Sequence, residues 1–350
     1  FVDKTASVEW IRDTGGRFIN LLCKGSLRHL EGQLKKTPQQ HVDDIKRVID
    51  YAEKFNIRTN IYLEDWSNGM RSSKDYVHFM IESLRKTSIK RFMLPDTLGI
   101  LSPLETFKLC KEMVDTYPEL HFDFHGHNDY ELAVANSLMA IEAGIKGIHT
   151  SINGLGERTG NTPLSSIVPA VRDHMDVEIA VNEKNLNKIS KLVEAFSGIR
   201  IPVNKPIIGD NVFTQTAGVH ADGDNKGNLY HSKLMPERFG RTRKYALGKT
   251  SGKANIQKNL EELGLDLDNE TLIKVTNRVI ELGDKKETIT TEDLPYIISE
   301  ILGEKSMEDK VKIHNYYIGH AQGLKPVATI CLERNGVIYE ETSAGDGQYD

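Results

Sequence analysis

The chain has 350 residues, of which 39% are hydrophobic and 27% charged, and its net charge of −5 argues against broad nucleic-acid binding, which needs a basic surface. No apolar run approaches the roughly 20 residues that span a bilayer, and no signal peptide is visible at the start. The cysteines Cys23, Cys110 and Cys331 are far apart and form no disulfide framework. We therefore expect a globular protein in a reducing cytoplasm, with no membrane or nucleic-acid partner.

Residues 1–175 repeat a simple unit, in which a short β-branched or aromatic run precedes a helical stretch. The runs typical of strands are 17–23, 58–63, 90–94, 120–124 and 147–152. The helical stretches lie near 40–55, 73–86, 102–117, 130–144 and 163–173. Such alternation indicates parallel βαβ units, in either a doubly wound sheet or a (β/α)8 barrel.

Polar residues follow the predicted strands directly. They are Glu64-Asp65, Pro95-Asp96-Thr97, His125-Gly126-His127 and Asn153-Gly154. A barrel takes its functional groups from the carboxyl ends of several strands, whereas a doubly wound sheet concentrates them at one switch point. The pattern favours an α/β fold of the TIM (β/α)8 barrel type. Because only five strands are complete, we expect the barrel's amino-terminal strands to be missing from this chain, with residues 1–3 as the end of another strand.

Helical patterns dominate from residue 176. They cover 182–197, 252–264, 269–283 and 291–302, and a Gly- and Asp-rich loop, HADGDNKGNLY, separates the first two. From about residue 310 three strand-like runs follow, and Asn335-Gly336 between the last two predicts a two-residue hairpin turn. We expect a truncated barrel at 1–175, helical linker subdomains that contribute to the active site at 176–305, and the truncated start of an α+β regulatory domain at 306–350.

The segment HGHND at 125–129 brings two imidazoles to one strand end. Residues two apart on a strand point to the same face, so His125 and His127 lie side by side where a barrel opens. Neutral imidazole is a common ligand of Zn, Mn and Fe. The alternative is a pair of hydrogen-bonded surface or core histidines. His121 and Asp123 share the same parity and are either partners that orient the ligands or a polar barrel layer.

Two more strand ends offer chemistry. Glu64 in LEDWSNG is a candidate base, or part of a solvated acidic turn. Thr97 in LPDTLG either holds a substrate carboxylate or caps the next helix, for which Ser102-Pro103 also gives an N-cap and N1 pattern.

Two loops are also candidates. NGLGERTGN at 153–161 lacks the Lys of a P-loop. One interpretation is a tight turn that brings Asn153, Glu157 and Asn161 over the barrel mouth. The alternative is a glycine-rich turn held by pairing of Glu157 with its neighbour Arg158. GVHADG at 218–223 places His220 two residues before Asp222, either as a base with its orienting carboxylate or as structural residues.

The motifs HGHND, NGLGERTGN and GVHADG, in this order, resemble those of the DRE-TIM metallolyase superfamily. More narrowly, they resemble its Claisen-condensing branch of 2-isopropylmalate, homocitrate and citramalate synthases. The stretches IYLEDWSNG, FTQTAGVHADGDNKGNLY and PERFGR are similar to those of (R)-citramalate synthases. The similarity covers essentially the whole chain, and the motifs are specific together although none is specific alone.

The resemblance implies an enzyme that condenses acetyl-CoA with a 2-oxo acid and then hydrolyses the thioester. A divalent metal, Zn²⁺ or Mn²⁺ with Mg²⁺ as a further candidate, would polarise the ketone. The residues matching metal ligands are His125, His127 and Asn161. The residues matching the acid/base pair are Glu64 and His220. Thr97 matches the residue that holds the substrate carboxylate, and the positions that shape the CoA side or close the site are matched by Asp222, Asn228 and Tyr230.

The family's specificity position predicts the acceptor. Isopropylmalate synthases carry a small residue where this chain has Tyr62, and Tyr62 together with Leu22 would fill the space for an isopropyl group. The resemblance therefore favours pyruvate, with (R)-citramalate as the product for isoleucine synthesis. The alternatives are a 2-isopropylmalate synthase that uses 2-oxoisovalerate for leucine synthesis, a retro-aldol lyase of the superfamily, and a non-catalytic metal- or amino-acid-binding module.

One family motif is absent. The Asp-Arg-Glu motif near the amino terminus that names the superfamily is not found in the chain, so its Asp ligand and its Arg have no match. The last strands match the start of the regulatory domain, at which a branched-chain amino acid inhibits. The resemblance also implies a homodimer in which the linker of one chain reaches the active site of the other, so that His220 is a candidate for the neighbouring site.

Overall fold

Five parallel strands, all neighbours in chain order, form the largest sheet of the computed structural model of this protein. They are β1 Phe18–Lys24, β2 Arg58–Glu64, β3 Phe92–Asp96, β4 Phe122–Gly126 and β5 Gly147–His149. A doubly wound sheet reverses its strand order at a switch point, and this sheet does not. The order β1-β2-β3-β4-β5 is that of consecutive strands in a (β/α)8 barrel.

The structure describes residues 5–227, 229–285, 289–302, 311–321, 323–334 and 336–345. It divides the chain into two compact units. The first is Phe1–Val212 with Ser232–Thr242, and the second is Phe213–His231 with Arg243–Asp350. The strand expected at residues 1–3 lies outside the described residues, and the division into three domains stays a prediction.

Helices follow the strands of the first unit, and two of them begin at complete capping boxes. Thr37 and Ser102 each accept a hydrogen bond from the backbone N–H of the third helical residue, and Pro38 and Pro103 occupy the first position of their helices. The helices are α1 Ala6–Asp13, α2 Leu27–His29, α3 Pro38–Glu53, α4 Trp66–Ser72, α5 Lys74–Leu84, α6 Pro103–Thr116, α7 Ala133–Glu142, α8 Leu164–His174 and α9 Leu186–Ser197. A π-helix covers Leu30–Leu34, and 3-10 turns cover Ile152–Gly154, Glu183–Asn185 and Pro236–Phe239.

The hydrophobic core of the first unit lies between one face of the sheet and the helices. On β1 the buried residues Ile19, Leu21 and Cys23 alternate with exposed ones, as expected for a strand with one face against helices. Side chains from β2–β4 and from α3 and α5 complete this core, among them Ile61, Leu63, Phe92, Leu94, Phe122, Phe124, Val42, Ile45 and Met80. Full burial of each large apolar side chain stabilises the fold by about 1.5–3 kcal/mol. The other face of the sheet carries the candidate polar residues together with Leu22 and Tyr62.

A buried ion network ties the segment 232–242 to residues 172–183 of the same unit. Arg238 donates to both carboxylate oxygens of Glu183, at 2.7 and 2.8 Å, and also to Asp173. Arg172 donates to the same Glu183 carboxylate at 2.6 Å. Burial raises the pKa of Glu183, but the two guanidinium groups outweigh it and leave that pKa below its ordinary value.

The second unit is mainly helical and ends in an antiparallel sheet. The helices are α10 Gly218–Asn225, α11 Lys253–Leu263, α12 Asn269–Asp284 and α13 Leu294–Leu302, with a 3-10 turn at Thr291–Asp293. The strands are β6 Thr214–Gln215, β7 Lys244–Tyr245, β8 Val311–Gly319, β9 Val327–Arg334 and β10 Val337–Ala344. Ile256, Val275, Val279 and Leu294 form a core among α11, α12 and α13.

The second unit corrects one prediction from the sequence. The first residues of HADGDNKGNLY, predicted as a Gly- and Asp-rich loop, belong to the helix α10. The helix forms although Gly, Asp and Asn have a low intrinsic helix propensity. The strands β9 and β10 pair in antiparallel register with Arg334 opposite Val337, which agrees with the predicted two-residue turn, although Asn335 itself lies outside the described residues.

Among the described residues no helix is long and apolar enough to cross a membrane.

Candidate active site

The face of the parallel sheet opposite the core carries most of the candidate residues. In register, Leu22 on β1 pairs with Tyr62 on β2, and His125 on β4 pairs with His149 on β5. Leu22 is half exposed on this face, while its neighbours Leu21 and Cys23 are buried on the other. Because side chains alternate along each strand, the strand register brings these residues onto one surface, which we call the open face.

The two histidines of HGHND are adjacent, as the sequence predicts. The ring centroids of His125 and His127 lie 5.0 Å apart at an interplanar angle of 70°. His127 also forms an isolated antiparallel bridge with Asn161, so the end of β4 and the glycine-rich loop meet at this point. Two further backbone bonds, Asn128 N–H to Gly160 O and Thr162 N–H to Gly126 O, fix the loop there.

The atoms of this group fit a cation. The Nδ1 of His127 and the Oδ1 of Asn161 are buried and have no hydrogen-bond partner among the described residues. A buried polar atom without a partner costs free energy, and a bound ion would supply the missing contact. His125, His127 and Asn161 are therefore the residues that could hold a cation, and nitrogen and oxygen donors of this kind suit Zn²⁺ or Mn²⁺.

Both imidazoles are neutral at physiological pH, which is the form that binds metals. Burial lowers the pKa of His125 to about 3, and the neighbouring His127 and His149 lower it further in the same direction. The pKa of His127 is also lowered, mainly by burial and to a smaller extent by the positive charge of the nearby Arg158. Within the described ranges no cluster of three His, Cys, Asp or Glu side chains is arranged to hold a metal, and the amide oxygen of Asn161 is a candidate donor of another kind.

The glycine-rich loop is held mainly by contacts of Arg158 with residues outside the loop, and not by its pairing with Glu157. Arg158 forms a bidentate pair with Asp129, at 2.8 and 2.9 Å, and also donates to the carbonyl of Thr97. Glu157 is 86% exposed and lies 3.7 Å from Arg158, so the Glu157–Arg158 pair is not the main support of the turn. The side chain of Asn153 donates to the carbonyl of Ser190. Of the three residues expected over the mouth, Asn161 is the one at the histidines.

Glycine is required inside this loop. Gly160 has a φ of +82°, and a Cβ placed there would collide with the carbonyl oxygen of Gly154. The loop therefore closes tightly enough to bring Asn161 back to His127.

Glu64 lies on the open face in an ion pair with Lys24, the residue opposite it in the β1–β2 register. Both side chains are largely buried, with 20% and 12% exposure. The backbone of Lys24 is fixed from two helices, because its N–H donates to His41 Nε2 at 3.1 Å and its carbonyl accepts from Tyr76 Oη at 2.9 Å. Lys24 was not singled out in the sequence, since a lysine ending a strand carries no distinctive signal.

Thr97 does not cap the next helix. Ser102 is the N-cap of α6, so the capping alternative for Thr97 is wrong. Its hydroxyl accepts a hydrogen bond of 2.8 Å from the N–H of Asp65. Asp65 is itself buried, with a φ of +64°, and its carboxylate accepts from Ser26. The contact fixes the Thr97 oxygen and leaves the hydroxyl proton without an acceptor among the described residues.

A buried carboxylate lies beneath the histidines. Asp123 is 1% exposed and accepts from His121 at 2.8 Å, while His149 and Arg91 approach it at 3.5 and 3.3 Å. Burial raises the pKa of Asp123, but the bonds from His149 and His121 and the charge of Arg91 outweigh it and leave that pKa below its ordinary value. His149 was missed in the sequence, although its position two residues after Gly147 in a predicted strand gives it the parity of the open face.

The second unit contains the remaining candidates. His220 Nδ1 contacts Gln215 Oε1 at 3.1 Å, and its ring lies 4.3 Å from that of Tyr230. Asp222 instead pairs with Lys226 at 2.7 Å, so the predicted pairing of His220 with Asp222 is wrong. On a helix, residues two apart face different sides, whereas residues four apart are neighbours. Asn228 lies outside the described residues.

The sequence also missed an ion cluster in this unit. Asp224 is 8% exposed and accepts from Arg243 at 2.9 Å and from Tyr245 at 3.3 Å. The sequence gives no signal for it, because Asp224 lies on α10, Arg243 directly before β7 and Tyr245 on β7, and the three meet only in the folded chain.

Family models match the chain in two consecutive regions. Residues 2–193 match the family described as HMGL-like, and residues 207–287 match the one described as homocitrate synthase post-HMGL domain-like. The first match covers more than half of the 350 residues.

Relatives of known name include three kinds of synthase. The chain is 30% identical over 97% of its length to a 2-isopropylmalate synthase of Methanocaldococcus jannaschii, covering 65% of that protein. It is 29% identical over 100% of its length to an (R)-citramalate synthase CimA of the same organism, covering 70% of it. It is 37% identical over 72% of its length to a homocitrate synthase of Sulfurisphaera tokodaii, covering 54% of it. The chain spans 54–71% of the lengths of such relatives.

Solved structures of similar fold include two HMG-CoA lyases. The enzyme from Acenitobacter baumannii, in complex with coenzyme A and 3-methylmalate, has a TM-score of 0.50 and 19% identity over 57% of this chain and 67% of its own. The one from Bacillis subtilis has a TM-score of 0.50 and 23% identity over 56% of this chain and 68% of its own. These similarities and the strand order confirm the TIM-barrel class. The chain belongs to the HMGL-like family, in the branch of the 2-isopropylmalate, homocitrate and citramalate synthases.

Proposed function

We propose that this chain is the catalytic part of a synthase that condenses acetyl-CoA with a 2-oxo acid, and that the acceptor is pyruvate, giving (R)-citramalate and CoA. The observation that carries the proposal is the open face itself. It combines neutral nitrogen donors at His125 and His127 with a carboxylate at Glu64 and an aromatic wall at Tyr62. The names of the relatives support this class of reaction.

A divalent cation is part of the proposal. His125, His127 and Asn161 would hold it, and the unpartnered atoms of His127 and Asn161 support this assignment. The chemistry that such an ion supplies when bound is Lewis-acid polarisation of a substrate carbonyl. Zn²⁺ and Mn²⁺ suit this donor set best, with Mg²⁺ as a further candidate.

The residues of this chain have separate roles in the proposal. Glu64 is the proton-accepting or proton-donating group, and Lys24 fixes its position on the open face. The Thr97 hydroxyl oxygen accepts a hydrogen bond from the N–H of Asp65, and the hydroxyl donates a hydrogen bond to the carboxylate of the 2-oxo acid. His220, Asp222, Asn228 and Tyr230 are assigned to acid/base chemistry and to the CoA side by the family resemblance.

Pyruvate is favoured by the size of the side chains around the acceptor. Leu22 and Tyr62 are opposite one another in the register of β1 and β2, so both narrow the same part of the open face. A methyl group fits beside them more easily than an isopropyl group does. The alternative acceptor is 2-oxoisovalerate, as the 2-isopropylmalate synthase among the relatives indicates.

Three further parts of the proposal concern the whole protein. A homodimer and feedback inhibition by a branched-chain amino acid are supported by the resemblance to the synthases. A cytoplasmic location is supported by Cys23, Cys110 and Cys331, which are buried free thiols.

The test is release of free CoA thiol by the full-length protein with acetyl-CoA and each 2-oxo acid, followed by identification of the product. We expect release with pyruvate and much slower release with 2-oxoisovalerate. A reversed preference would replace citramalate synthase by 2-isopropylmalate synthase. No release with any 2-oxo acid, from a metal-loaded preparation, would contradict the proposed class of reaction.

A further inference from the structure

The ring of Tyr62 contacts two imidazoles on the open face. Its centroid lies 5.4 Å from that of His125, edge to face at 67°, and 6.3 Å from that of His149, nearly parallel at 21°. His125 and His149 are themselves 5.6 Å apart. The three rings therefore form a triangle with sides of 5.4, 6.3 and 5.6 Å. Each ring limits the side-chain torsions of the other two, so the position of His149 affects the position of Tyr62.

Asp123 fixes His149. The imidazole Nε2 lies 3.5 Å from the carboxylate of Asp123, one layer below on the neighbouring strand. Asp123 also contacts His121 and Arg91, and its strand position and the Arg91 contact remain when His121 is removed. Gly147, directly opposite Asp123 in the register, makes the arrangement possible. A Cβ at Gly147 would overlap the carboxylate of Asp123, so any side chain there would displace it.

We infer that His149 is a specificity-determining positioning residue, which Asp123 orients and which holds the ring of Tyr62 against the space for the alkyl group of the 2-oxo acid. This inference rests on the proposed function. His149 acts through Tyr62, and it is assigned no contact with the reacting atoms. Its removal opens the space into which Tyr62 can turn, and a larger alkyl group then fits.

A purely structural role for His149 makes a different prediction. A residue that only stabilises the sheet would change stability and overall activity, but not the ratio of activities with two acceptors. His121 provides the matched comparison, because it contacts the same carboxylate at 2.8 Å and has no ring contact with Tyr62 among the described residues.

The experiment measures kcat/KM of the full-length protein for pyruvate and for 2-oxoisovalerate. For His149→Ala we expect the pyruvate preference to fall by about tenfold or more, mainly through a lower KM for 2-oxoisovalerate. His149→Phe retains a ring beside Tyr62 but loses the contact with Asp123, so its preference should lie between that of the wild type and that of His149→Ala. Asp123→Asn should shift the preference in the same direction as His149→Ala, and His121→Ala should leave it unchanged.

A binding measurement without acetyl-CoA complements the kinetics. The rise in unfolding temperature caused by each 2-oxo acid reports binding, and in His149→Ala we expect the rise with 2-oxoisovalerate to approach that with pyruvate. An unchanged preference in His149→Ala, or an equal change in His121→Ala, would overturn the inference. Either result, obtained with a wild type that condenses acetyl-CoA with pyruvate, leaves the proposed function intact. A wild type that releases no CoA with any 2-oxo acid would overturn the proposed function itself.

Discussion

The ammonium group of Lys24 and the carboxylate of Glu64 form an ion pair between register partners on adjacent parallel strands. Each group is largely shielded from water, and the backbone of Lys24 is held by His41 and Tyr76 on both sides. Removal of one partner from a shielded pair leaves the other charge uncompensated. The pair therefore gives Glu64 one defined position on the open face.

Lys24→Met should reduce activity and also destabilise the fold, because the shielded carboxylate of Glu64 is left without its counter-charge. Without the ammonium group Glu64 loses its fixed position, and we expect kcat with pyruvate to fall by about tenfold to a hundredfold. The measurement is thiol release together with urea unfolding. Lys36→Met is the control, since it removes the same charge from a more exposed pair with Asp44. Equal activities of the two variants would show that Lys24 does not support Glu64.

His125→Ala should weaken metal binding. The substitution removes one of three donors, and we expect the metal content after dialysis to fall from about one ion per chain to well under half. Elemental analysis checks this directly. His78→Ala is the control, because His78 contacts Tyr117 on the helical side of the sheet. Exhaustive chelation of the wild type should abolish activity and added metal should restore it. A chelated protein that remains active would contradict the metal assignment.

Tyr62→Ser should admit 2-oxoisovalerate. The smaller side chain leaves the space that the Tyr ring now fills, and we expect kcat/KM for this acceptor to rise by roughly 10- to 200-fold. Competition between the two acceptors, followed by product analysis, measures the change. Tyr296→Ser, at a tyrosine with 69% exposure, should leave the preference as it is. If Tyr62→Ser still accepts only pyruvate, or if the wild type accepts both acids, the size of Tyr62 does not set specificity.

His41 should make folding sensitive to mild acid. Burial, followed by the charges of Lys36 and Lys24, lowers the pKa of His41 from 6.5 to about 4. Between pH 6.5 and 4, His41 therefore stays neutral in the folded state but binds a proton in the unfolded state. Stability from this group is complete above pH 6.5 and is lost as pH falls from 6.5 towards 4, by about 1.5 kcal/mol between pH 6.5 and 5.

Urea unfolding at pH 6.5 and pH 5 measures this loss. His41→Gln keeps an acceptor for the N–H of Lys24 but does not titrate, so its unfolding free energy should change by about 1.5 kcal/mol less than that of the wild type. Identical pH dependence in the two proteins would show that another group is responsible.

The sequence by itself determined the five parallel strands, most of the helices that follow them and the chemistry of the strand ends. Alternating runs and helix caps are local, so β1–β5 and the capping at Ser102 follow from short stretches of chain. The pairing of His125 with His127 is also local, because two residues separated by one on a strand always share a face.

Only the tertiary structure decided which groups meet across strands and loops. The partners Lys24 and Glu64, Asp123 and His149, and His127 and Asn161 are far apart in the chain. The first two contacts depend on the strand register, which no local pattern encodes. For the glycine-rich loop, the local pattern predicts a turn over the mouth, and the fold decides that Asn161 is the residue that meets His127. The helix α10 also decided one partner. Because residues four apart are neighbours on a helix, Asp222 pairs with Lys226 and not with His220.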